Sequence, residues 1–199
     1  MEILECTQGE KEWFDAKRGI PSASNFSKII TNDRKPSKQR TKYMYRLAGE
    51  KVSGYSSETY QNFVMIRGQE MESEARQFYE ISTGKEVKQV GFCVNEEPVF
   101  GCSPDGLVDG NGLIEIKAPL VETHVGYLLK NELPSEYFSQ IQGQLLVTGR
   151  KYCDFLSYFP GLKSLVIRVE RDEVFLQALK IELEIFCKEL SEIIKKIGG

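Results

Sequence analysis

Residues 102–117 read CSPDGLVDGNGLIEIK, and this stretch decides the fold. Its second half has the texture of a strand, where residues i and i+2 share a face. Glu115 and Lys117 therefore point together, while Ile114 and Ile116 turn the opposite way into a core. The tetrapeptide DGNG at 109–112 is a hairpin-type turn signal, and Pro104-Asp105-Gly106 marks a bend in the preceding run. A hairpin at that turn would bring Asp105 beside Glu115. Two carboxylates and a lysine on one open face form a hard-oxygen site suited to Mg²⁺ or Mn²⁺. Such a site fits phosphodiester hydrolysis, with Lys117 positioning a water, helping to deprotonate it or neutralising developing charge. A solvent-facing Glu–Lys pair on a strand has the same spacing, so these residues alone leave both readings open.

Working outward, VKQVGFCV and VFGCSPDGLV are β-like runs separated by the turn NEEP, and GLIEIKA follows DGNG. Two further strands, CDFLSYF and SLVIRVE, come after a helical pattern over 134–148 that Gly149 stops. Upstream, Thr7 and Glu10 form a candidate capping box for a short helix through Lys17, ended by Gly19 and Pro21. Ser22 or Ser24 caps a second short helix ending near Ile30. TNDRKPSKQR reads as a loop, residues 38–52 as a helix, and SGYSSE as a break. Residues 60–83 read as a long helix with Phe63, Ile66, Met71, Ala75, Phe78 and Tyr79 on its apolar face and Gly84 as its C-cap. Asp172 caps a last helix to residue 197. Helices, three strands, helices, two strands and a helix predict an α/β fold with one mixed central sheet flanked by helices.

The length of 199 residues, with 41% of them apolar, predicts a single domain with a substantial core. Its expected parts are a basic N-terminal helical portion over 1–58, a core over 60–170 and a C-terminal helix over 172–197. No apolar run approaches the ~20 residues of a membrane span, and the N-terminus lacks a signal-peptide pattern. A soluble, cytoplasmic protein is expected. The five cysteines are scattered, with no C-x2-C, so a thiolate zinc site or an iron–sulfur cluster has no sequence support. One histidine, His124, leaves no imidazole for a Ser-His-Asp triad or a histidine metal site beyond itself, and it reads as a surface or helix-start residue. The absence of G-x4-G-K-[ST] counts against a P-loop ATPase.

The formal net charge of −3 hides an asymmetry. Residues 11–51 hold eleven Lys or Arg against four acids, a net of +7, which leaves −10 on the rest. A basic segment on an acidic body suits a polyanion grip beside a metal–carboxylate site, although a solvated charged face has the same composition.

Asp105…Glu115-Ile116-Lys117, led by Pro104, resembles the PD-(D/E)XK nuclease motif. Five blocks in order resemble the lambda-exonuclease-like recombination nucleases of phages and bacteria. They are Trp13-x3-Lys17-Arg18-Gly19-x2-Ser22-Ala23-Ser24, Arg67-Gly68-x3-Glu72-x2-Ala75-Arg76, Cys102 to Leu107, Glu115 to Lys117, and Tyr137-x2-Gln140-Ile141-Gln142. The resemblance implies a restriction-endonuclease-like core with extra N-terminal helices. It makes Asp105 and Glu115 metal carboxylates, the Ile116 carbonyl a further ligand, Lys117 the catalytic lysine and Glu72 a helix-borne acid near the metals. Ser24, Ser103 and Gln140, with Lys17 and Arg18, match positions that hold the 5′-phosphate or the scissile end. Taken without the resemblance, Glu72 is an exposed helix carboxylate, Ser24 an N-cap, Ser103 a turn hydroxyl and Gln140 a polar helix residue. Lys17 stands where the family typically carries Arg, and Arg67 where a relative carries Trp. Lys meets phosphate as a point charge rather than as a fork.

Leu176, Leu183, Leu190 and Ile197 repeat every seven residues, with Leu179, Phe186 and Ile193 as a second series. A helix packed on its own sheet, broadened by Phe175, Ile181 and Ile185, has this pattern, and so does a subunit contact. The resemblance implies a homo-oligomer, a ring-like trimer encircling DNA. The function expected is a Mg²⁺-dependent 5′→3′ exonuclease on linear double-stranded DNA, leaving 3′ single strands for a single-strand annealing protein. The alternatives are an endonuclease of the same superfamily and a non-catalytic DNA-binding module on a nuclease fold. Clustered carboxylates that repel phosphate count against the last.

Overall fold

The turn at 109–112 forms as its sequence demands. Strands β5 (Gly106–Val108) and β6 (Gly112–Lys117) pair antiparallel, with Val108 opposite Gly112 and Gly106 opposite Ile114. Asp109 takes the left-handed conformation at φ 48°, which Asp tolerates better than most residues. The computed structural model that establishes this describes residues 1–55, 63–97 and 99–198. Strand β6 continues in parallel with β7 (Tyr152–Ser157), β7 is antiparallel to β8 (Leu165–Glu170), and β2 (Val87–Lys88) adds outside β5. The result is the expected mixed sheet, five strands in the order β2-β5-β6-β7-β8. A parallel step requires a crossover, and helices α4 (Val121–Lys130) and α5 (Ser135–Thr148) provide it.

The strand arrangement and the place of His124 differ from expectation. Strands β1 (Glu2–Leu4), β3 (Phe92–Val94) and β4 (Gly101–Cys102) make a separate antiparallel sheet, so each of the two β-like runs before residue 109 is divided between sheets. The second run breaks at Ser103-Pro104-Asp105, where Pro104 has no N–H for a ladder. Helix α4 starts two residues after Pro119 and buries His124 completely, with Nδ1 2.8 Å from Ser157 Oγ and Nε2 3.0 Å from the Lys163 carbonyl. His124 is thus a helix-start residue, but an interior one. A carbonyl only accepts, so Nε2 carries a proton.

The N-terminal part holds α1 (Lys11–Lys17), a 3₁₀ helix at Ala23–Lys28, and α2 (Arg40–Ser53), followed by α3 (Phe63–Thr83). The capping box at Thr7 and Glu10 does not form: Glu10 is itself the N-cap, with no side-chain cap, and its N–H closes a turn on the Thr7 carbonyl. Ser22 caps the 3₁₀ helix by position only. On α3, Ala75 and Tyr79 are buried as expected, while Phe78 is exposed; the side chains of Phe63 and Ile66 lie outside the described residues.

Helix α6 (Glu173–Ile197) begins at Asp172, whose Oδ1 accepts from the Phe175 N–H at 2.9 Å. Its heptad residues Leu176, Leu179, Leu183, Phe186 and Leu190 are buried. They meet α2 rather than the sheet, with Tyr43 stacked on Phe186 at 5.6 Å between ring centroids. Ile181 and Ile185, expected to broaden this apolar face, are exposed. The five cysteines are free thiols. Among the described residues no helix is long and apolar enough to cross a membrane.

Candidate active site

The β5–β6 hairpin carries the acidic residues. Gly106 opens β5 opposite Ile114, so the residue before it, Asp105, arrives next to Glu115. The approach is close: a Cβ at position 106 would collide with Val87. Asp105 Oδ2 accepts from the Ile116 N–H at 2.6 Å, which sets Ile116 between the two carboxylates. The expectation of an open face fails for one of them. Glu115 is 1% exposed, covered by α5. Its Oε1 accepts from Lys117 Nζ and from Gln140 Nε2 (2.6 Å), and its Oε2 accepts from Gln144 Nε2 (2.6 Å). Residues 140 and 144 are four apart on one helix and therefore reach the same carboxylate together.

Charge in this site is held at a cost. Burial pushes the Asp105 carboxyl well above its usual range and the nearby Glu115 charge pushes it further, while Lys117 and the Ile116 N–H offset part of this. Glu72, half-buried on α3 and paired with Arg76, is also raised, chiefly by burial and also by Glu115, against the pull of Arg76 and Lys117. Burial disfavours the Lys117 ammonium, yet Glu115 and Asp105 together outweigh it and hold the group above its ordinary value. Three carboxylates that feel one another around a single lysine make an oxygen-rich site with a deficit of positive charge. That donor set fits a hard divalent cation rather than a soft one. Among the described residues no three potential ligands already converge on one point, because Glu72 is turned to Arg76 and Glu115 is held by Lys117, Gln140 and Gln144.

A cavity of about 140 Å³ adjoins these groups and is lined by Lys17, Ser24, Ser103, Gln140 and Gln144, with Trp13 on its wall. Beside it α5 lies tightly on the 3₁₀ helix: a Cβ at Gly143 would strike the Phe26 ring. Four of the five residues expected to contact DNA, Lys17, Ser24, Ser103 and Gln140, thus come from three distant segments to one place. Arg18 does not join them; it pairs with Asp15 and lines a different, much smaller cleft with Arg46 and Glu50. Arg67, the other departure from the family pattern, donates to the carbonyls of Ala118 and Pro119, 3.0 Å each, and lies 4.9 Å from the Phe159 ring centroid. It fastens α3 to the chain just beyond Lys117.

Sequence reasoning missed Gln144 and Gln8. The former was legible only as the second member of an i, i+4 pair. Gln8 Nε2 donates to the Val90 and Pro104 carbonyls at 2.9 Å each, which anchors the turn before Asp105, and no local pattern announces it. A buried carboxylate on the other face of the sheet was also missed: Asp154 accepts from Tyr79 Oη (2.6 Å) and from Arg168 Nε and Nη2 (2.8 and 2.9 Å).

A mixed sheet with Asp, Glu and Lys at the mouth of a β-hairpin, covered by crossover helices, defines a nuclease fold of the restriction-endonuclease-like type. The chain belongs to the family described as the YqaJ-like viral recombinase domain, whose model matches residues 12–151. It is similar to the alkaline exonuclease LHK-Exo of Laribacter hongkongensis, with 35% identity, a TM-score of 0.85, and coverage of 94% of this chain and 96% of that one. The structure of LHK-Exo in complex with dAMP matches with the same identity and coverage at a TM-score of 0.86. A phage-related exonuclease of Haemophilus somnus, 16% identical over 90% of this chain and 96% of that one, shares the fold at a TM-score of 0.73. No curated protein sequence matches the chain. Family and fold together make it a phage-type recombination nuclease.

Proposed function

We propose that the protein is a Mg²⁺-dependent exonuclease that enters at the ends of linear double-stranded DNA. It degrades the 5′-ended strand 5′→3′ and leaves a 3′ single-stranded tail. The observation that carries this reading is the adjacency of the cavity and the carboxylates: Ser103 lines the cavity and Asp105, two residues on, accepts from Ile116. The lining of the cavity includes one ammonium and three serine hydroxyls, from Ser22, Ser24 and Ser103, groups that suit a terminal phosphomonoester with its several acceptor oxygens. The capture of dAMP, a nucleoside monophosphate, by the 35% identical exonuclease supports the same reading.

Asp105, Glu115 and the Ile116 carbonyl would hold the metal, with Glu72 brought in from α3; bound there, it would polarise the scissile phosphoryl group and acidify a water. Lys17, Ser24 and Ser103 bind the 5′-phosphate and thereby place the next phosphodiester at the carboxylates. Gln140 and Gln144 hold Glu115 in one orientation. Lys117 keeps its proton on Nζ beside Glu115, where it orients the water and neutralises charge gathering on the phosphorane oxygens. The +7 segment over 11–51 supplies the long-range attraction for the polyanion. A homo-oligomer, ring-shaped around DNA, a cytoplasmic location and a single-strand annealing protein as recipient of the tail complete the proposal.

The test uses three DNAs with each strand labelled: a linear duplex with 5′-phosphate, the same duplex with 5′-hydroxyl, and a covalently closed circle. Progressive loss of 5′-ended strands with the circle intact is expected in Mg²⁺. Nicking of the circle would make the enzyme an endonuclease. Binding without cleavage in either Mg²⁺ or Mn²⁺ would make it a non-catalytic module.

A further inference from the structure

We propose that Trp13 is a positioning residue for the 5′-phosphate cavity: its indole N–H turns the Ser103 hydroxyl into a donor toward the ligand, and its ring face holds the Lys17 ammonium over the same space. This rests on the reading of that cavity as a 5′-phosphate site. The indole nitrogen can only donate, whereas a serine hydroxyl has one proton and two lone pairs. Trp13 Nε1 donates to Ser103 Oγ at 2.8 Å, across 90 residues of sequence. One lone pair of Ser103 is thereby occupied and its proton is left for a partner in the cavity. A phosphate dianion presents acceptors alone, so a hydroxyl poised as a donor is what it requires.

The second contact answers the departure at position 17. An ammonium lacks the planar fork by which Arg orients itself on phosphate. Lys17 lies one helical turn beyond Trp13, and its Nζ sits 3.8 Å from the indole centroid, within cation–π range. The ring face thus supplies a direction that the ammonium does not have by itself. One residue on α1 sets two of the groups that meet the phosphate, one from its own helix and one from the turn before Asp105. Trp13 touches no reacting atom in this account.

The chain has a single tryptophan, so its emission reports on Trp13 alone. Trp13→Phe keeps a ring beneath Lys17 and removes the N–H; Trp13→Leu removes both. Preference for 5′-phosphorylated over 5′-hydroxyl ends, measured as a ratio of kcat/KM, is expected to fall about tenfold in Trp13→Phe, the scale of one hydrogen bond to a charged group. Trp13→Leu should lower it further. Ser103→Ala should match Trp13→Phe, and the double variant should be no worse than Ser103→Ala, because the indole acts through that hydroxyl. Without divalent metal, titration of the wild type with a 5′-phosphorylated oligonucleotide should change the tryptophan emission, and the 5′-hydroxyl oligonucleotide should not. Equal losses on both ends, additive losses in the double variant, or unchanged emission would overturn the role. Emission that responds to the 5′-phosphate in a protein that does not resect would sustain Trp13 and sink the exonuclease reading. Resection indifferent to Trp13→Phe would do the reverse.

Discussion

Replacing Gln144 with Leu tests how the buried carboxylate is held. Gln144 and Glu115 are each 1% exposed, and the amide supplies the donor to Glu115 Oε2 at 2.6 Å, while Lys117 and Gln140 serve Oε1. Leucine fills similar volume and leaves Oε2 without a partner. A hydrogen bond to a charged group contributes about 1.5–3 kcal/mol. Loss of a bond that orients a metal-ligating carboxylate typically costs roughly 10- to 100-fold in metal affinity or activity. If Glu115 binds the metal, the Mg²⁺ concentration giving half-maximal resection should rise about tenfold or more in Gln144→Leu, with much of the rate recovered at saturating Mg²⁺. The assay is the initial rate of 5′-strand loss across a Mg²⁺ series, accompanied by urea unfolding to confirm an intact fold. A lowered rate with an unchanged Mg²⁺ dependence would refute the reasoning, since the amide would then act on something other than the ligand geometry of Glu115.

Asp105→Ala and Lys117→Ala should each abolish cleavage while duplex binding, followed by anisotropy, persists; cleavage by clean Asp105→Ala protein would refute the site. Lys17→Ala should weaken binding of 5′-phosphorylated ends more than Arg18→Ala does, because only Lys17 reaches the cavity; the opposite order in a direct titration would reverse the assignment. Asp154→Ala should destabilise the fold by about 2–3 kcal/mol in urea, discounted for the partly exposed Arg168, by leaving the buried Tyr79 hydroxyl without its acceptor, and should spare the chemistry. Burial raises the Asp154 carboxyl, but the hydrogen bonds from Arg168 and Tyr79 outweigh it and hold the group below its ordinary value. Its stabilising contribution is therefore complete above the unfolded value of ~3.9 and is lost as pH falls through the lower folded value. Asp154→Asn should accordingly lose less stability than the wild type on acidification below about pH 4; identical acid limbs in the two unfolding series would contradict this.

What the sequence made legible was local or periodic. DGNG specified the hairpin, alternation around Glu115 specified the strand, and the heptads of α6 specified a buried seam. Each depends on neighbours within a few residues. The separate sheet was hidden because β1, β3 and β4 are two or three residues long, and because β1 joins β3 from some ninety positions away, as with Glu2 opposite Val94. The burial of Glu115 was equally hidden, since it depends on where α5 crosses, and that follows from Gly143 meeting Phe26. His124 looked like a surface residue because its partners, the Ser157 hydroxyl and the Lys163 carbonyl, lie more than thirty residues away. The cavity was legible only as a set of blocks resembling a family, and that resemblance could not separate Lys17 from its neighbour Arg18. Helical geometry did: one side chain faces the indole, the other turns to Asp15.

The short link between the two sheets has a bearing on step size. Strand β4 ends at Cys102 and β5 begins at Gly106, so Ser103-Pro104-Asp105 is all that separates one sheet from the other. The middle residue is a proline, and both ends are tethered, Ser103 by Trp13 and Asp105 by Ile116. If one end of this tripeptide grips the terminal phosphate and the other serves the bond to be broken, the span between grip and cut is a covalent constant. The length of each product would then be written into the main chain, and every cycle would remove the same increment whatever the bases.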